Sequence, residues 1–201
     1  MRAIRTFLFV ISIGFVAAVT LPVASRTDSG LPDGWIRAGS APGDYDMGSD
    51  PSAAHTGKAG GYLKSKADKT TGFGTLMQMC KAEGFHGKRV RMSGWIKSAD
   101  VTDWAGMWMR VDGPEKKMTA FDNMQKRAIK GTTDWTRYQI VLDVAPDAQD
   151  IAFGVLLSGG GQVWLDDMTF EVVDKKVALT STDANAGGTL AADPMNLDFE
   201  K

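Results

Sequence analysis

The chain has 201 residues, of which 43% are hydrophobic and 23% charged, with a formal net charge of −1. That composition excludes disorder, and its balanced charge gives no electrostatic reason to expect nucleic acid, which normally demands a basic face. The single cysteine, Cys80, leaves no disulfide possible within one chain, so packing must hold the fold together.

The N-terminus carries Arg2 and Arg5, then an uncharged run through Thr6–Ala24 and small residues before Ser25. A basic start, an apolar stretch and small residues together predict a signal peptide over 1–25, or an uncleaved anchor, so the body is expected to be periplasmic or secreted. Membrane contact is then expected only through this segment, if it stays attached.

The body, 31–173, alternates with period two. Lys88–Lys97 sets Val90, Met92 and Ile96 against Arg89, Arg91, Trp95 and Lys97. Trp104–Asp112 sets Met107, Met109 and Val111 against Trp108, Arg110 and Asp112. Tyr138–Asp143 alternates likewise, and Ile151–Ser158 is apolar on both faces, as a central strand would be. Val163–Val173 changes phase at Asp166-Asp167, which predicts a β-bulge. Breaker clusters (Asp112-Gly113-Pro114, Lys130-Gly131, Ala145-Pro146-Asp147 and Ser158–Gly161) separate these runs. Only Met79–Phe85 offers a helical turn. The fold class expected is all-β: an antiparallel β-sandwich of jelly-roll type.

Residues 174–194 are small and polar and read as a flexible linker. Residues 195–201, beginning Met195-Asn196-Leu197-Asp198-Phe199-Glu200, read as a C-terminal strand. It could fold back onto its own sandwich, complete a neighbouring chain, or be the remnant of a second copy.

Gly34-Trp35, His55-Thr56-Gly57-Lys58, Gly72-Phe73-Gly74-Thr75, Trp104–Asp112, Phe121–Gln125, Phe153–Gly159 and Gln162–Asp167 together resemble the β-sandwich domain appended to some helix-turn-helix regulators of the AraC type. More distantly they are similar to galactose-binding-like jelly rolls, which include carbohydrate-binding modules. The resemblance covers nearly all of 34–173 and implies a ligand-binding jelly roll. It also implies that a structural Ca²⁺ could sit at Asp166, Asp167 and Glu200, as hard oxygen ligands.

No catalytic constellation stands out, so non-catalytic binding of a carbohydrate or similar polyhydroxy ligand is expected. Planar and bidentate groups cluster on the polar sides of the middle strands: Arg91, Trp95, Trp108, Arg110, Asp122, Asn123 and Gln125. An aromatic ring covers a sugar's C–H face while amides, carboxylates and guanidinium groups bond its hydroxyls. The alternatives are a structural or interaction module that self-associates through the tail, and a carboxylate-dependent glycoside-active enzyme. No nucleic-acid partner is expected.

Overall fold

The computed structural model describes residues 30–180 and 194–200; the expected signal peptide and most of the linker lie outside these. Among the described residues nine strands form in chain order: β1 Ile36–Gly39, β2 Tyr45–Asp50, β3 Gly60–Ser65, β4 Phe73–Lys81, β5 Arg89–Asp112, β6 Met118–Asp122, β7 Ile129–Asp143, β8 Asp150–Ser158 and β9 Gln162–Val173. Every pairing is antiparallel. The expected β-sandwich is the fold.

Two expected strands turn out to be halves of one. β5 is 24 residues long. Its first half pairs with β9 and β7, whereas Trp104–Asp112 pairs with β8 and β6. One layer is therefore β2-β3-β9-β5-β7 and the other β1-β4-β8-β5-β6. Register shifts against β7 between Ile96 and Ala105 mark where the strand crosses between layers. Such irregularities bend a strand and let it turn a corner.

Alternation explains the core. Val90, Met92, Ile96, Met107, Met109 and Val111 are all completely buried, together with Ile140, Leu142, Phe153, Val155, Leu157, Val163 and Leu165. Cys80 is buried too, in keeping with a small apolar side chain. The predicted bulge is present: Asp167 has φ of 48°, and the β5–β9 register shifts between Ser93 and Trp95. The helical turn shrinks to a short 3-10 turn, Glu83–Phe85.

The tail folds back, but not as a strand; it is an irregular, turn-containing segment. Phe199 is 1% exposed and joins the main core, its ring 4.8 Å from that of Trp35. A Cβ on Gly61 would stand 2.2 Å from the Phe199 ring, so the glycine makes the room. The Trp35 indole N–H donates to the Asn196 carbonyl at 3.1 Å, and Met195 N–H donates to Gln78 Oε1 at 2.8 Å. Gln78 Nε2 in turn donates to the Met195 carbonyl.

Removing 195–201 would open a cavity and strip partners from the buried Gln78 and Trp35. An aromatic-to-alanine cavity alone costs about 3–5 kcal/mol, and each stranded polar group about 1–3 kcal/mol. Deletion is expected to lower the melting temperature by about 10 °C or more, read by circular dichroism; unchanged melting would contradict this packing.

Candidate functional site

The outer face of the layer containing β1, β4, β8 and β6 carries a hollow. It is lined by Ala38, Gly39, Phe73, Thr75, Met77, Trp104, Trp108, Arg110, Phe121, Asn123 and Leu156. Most of the lining is apolar: Met77, Trp108, Ala152 and Leu156 form a second buried cluster, with Ala38, Trp104 and Phe121 packed against it.

Trp108 forms the floor rather than a free platform. It is 8% exposed, and its indole N–H donates to Thr75 Oγ1 at 2.8 Å, which itself donates to the Val155 carbonyl at 2.7 Å. The rings that rise toward solvent are Phe73, 38% exposed, with the half-buried Trp104 and Phe121. These three were not singled out by alternation. Trp104 lies inside β5 near its corner, in the same alternation as Trp108 and Arg110, so that pattern could have found it, whereas Phe121 lies near the end of the short β6.

Arg110 is held by Asp112, with Nε and Nη2 at 3.0 and 2.8 Å from Oδ2. Two N–H groups converging on that one oxygen fix its orientation at the edge of the hollow. Asn123 Oδ1 accepts the Gln125 N–H at 3.1 Å, which fixes the amide.

Four sequence candidates are not in this hollow. Asp122 is 3% exposed and accepts from Met124 N–H at 2.8 Å and from Arg127 at 2.7 Å, so it clamps the β6–β7 connection. Gln125 is exposed and does not line it. Arg91 and Trp95 lie in the half of β5 that belongs to the other layer. The expectation that they share a face with Trp108 and Arg110 fails because the strand changes layer between them. Arg91 faces Glu171 across 3.7 Å, and Trp95 stacks on His55 with centroids 4.0 Å apart.

The carboxylates expected at a cation site are engaged by the protein. Asp166, wholly buried, accepts the His55 and Thr56 N–H groups at 2.6 and 3.1 Å. Burial raises its pKa, and those bonds oppose the rise. Asp167 meets His55 Nδ1 at 2.6 Å and the Thr56 hydroxyl at 2.7 Å. Glu200 accepts the Lys58 and Ala59 N–H groups, which lowers its pKa. Among the described residues no cluster of three His, Cys, Asp or Glu could hold a metal ion.

The fold is a jelly-roll β-sandwich, similar in shape to solved carbohydrate-binding modules. A tandem CBM22-1–CBM22-2 structure from Paenibacillus barcinonensis Xyn10C superposes with TM-score 0.52 and 12% identity, covering 73% of this chain and 43% of that one. The single CBM22-1 xylan-binding domain of the same protein gives TM-score 0.50 and 14% identity, over 73% of this chain and 90% of that one. A Family 16 Carbohydrate Binding Module-2 gives 0.50 and 20%, over 69% and 91%. In sequence, the chain is 47% identical over 169 residues to the Bacillus subtilis uncharacterized HTH-type transcriptional regulator YbfP, covering 84% of this chain. The chain spans 57% of that relative's length. No family model matches.

Asp122→Ala is expected to lower stability by about 1–3 kcal/mol, through the buried groups it leaves unpaired, in denaturant unfolding. Trp95→Ala is expected to leave any ligand affinity of the hollow unchanged in titration calorimetry.

Proposed function

We propose that the chain binds a carbohydrate, without catalysing its breakdown, in the hollow floored by Trp108. The observation that carries this is an apolar recess rimmed by the exposed Phe73 and the half-buried Trp104 and Phe121. A sugar presents apolar C–H faces to such rings and hydroxyls to polar groups. Arg110 and Asn123, each preset by an internal bond, supply the polar ends. The shape likeness to xylan-binding modules supports an extended polysaccharide as the ligand class. Export beyond the cytoplasm is part of the same reading, from the N-terminal segment.

Trp104→Ala and Phe121→Ala are expected to weaken binding of soluble xylan or another polysaccharide by tenfold or more in affinity gel electrophoresis, with the β-sheet signal in circular dichroism retained. Polysaccharides bound equally by both variants and the parent would refute the site. Trp108→Ala is a poorer probe, because it also strands Thr75.

A further inference from the structure

The groove that holds the tail reads its backbone and one ring. Gln78 engages both N–H and C=O of Met195, Trp35 engages the Asn196 carbonyl, and the Met168 N–H donates to the Leu197 carbonyl at 3.2 Å. The Lys58 and Ala59 N–H groups take the Glu200 carboxylate. Phe199 is fully buried in a recess above Gly61, and Leu197 packs against the core beside it, partly buried. This is a peptide site: backbone bonds supply affinity and one side-chain pocket supplies specificity. Its ends are complementary, a basic Lys58 at 3.4 Å from Glu200 Oε2.

Two facts make that site exchangeable. Among the described residues the tail's contacts come from 195–200, and thirteen residues, 181–193, stand between Thr180 and Pro194. Thirteen residues reach about 43 Å at ~3.3 Å each, far enough to serve a neighbour as well as its own body. We infer that the groove is a peptide-binding site and that its second occupant is the tail of another copy of this chain, giving tail-exchanged dimers at high concentration. Exchange of an identical element costs little, because each contact is remade in trans.

The test places a protease site within 181–193 of the full chain and cuts it. The tail is expected to stay bound and then exchange with a fluorescent peptide of residues 194–200, which the same peptide carrying Phe199→Ala fails to displace. The uncut chain is expected to form dimers as concentration rises, by light scattering, and to form none once 195–200 is deleted. A cut tail that the peptide cannot replace, or an uncut chain that stays monomeric to millimolar concentration, would overturn the inference. If cutting unfolds the body, hydrogen exchange on the uncut chain decides: slow exchange of the tail amides, at the rate of the core, would overturn it, and fast exchange would support it.

Discussion

The corner in β5 is the constraint on which the rest depends. A strand of 24 residues serves both layers, and the register shifts between Ile96 and Ala105 let it leave one and enter the other. Because of the corner, residues that alternate in the same way on either side of it look out from opposite faces of the molecule. The hollow and the His55–Trp95 stack are therefore separate surfaces.

Within the second layer the hollow is built by apolar residues on the outward side of a sheet, where polar ones are the rule. Met77, Trp108 and Leu156 are covered well enough to form a minor core of their own. That cluster is what makes the recess a rigid floor, and Thr75 anchors the Trp108 indole within it. Polar groups at the edge are held by neighbours rather than left to search: Arg110 by Asp112 and Asn123 by a backbone N–H.

The tail closes the opposite problem, an opening into the main core. Trp35 would otherwise present an unpartnered indole, and Gln78 a buried amide without bonds. Phe199 and the Met195 and Asn196 backbone satisfy both. A recess so dependent on one short segment is also one that a like segment can fill.

By itself the sequence determined the sandwich, its inward side chains and the bulge at Asp166-Asp167, because strand alternation is local. It could not show that two strands were one, since the shift between Ile96 and Ala105 depends on pairing with β7. Nor could it place Phe199 beneath Trp35, because those partners lie far apart along the chain, or show that Asp122 serves the nearby Arg127 rather than a ligand, because the turn between them takes its shape only in the folded β6–β7 connection. Which face each ring looks from was decided by the corner, a tertiary feature.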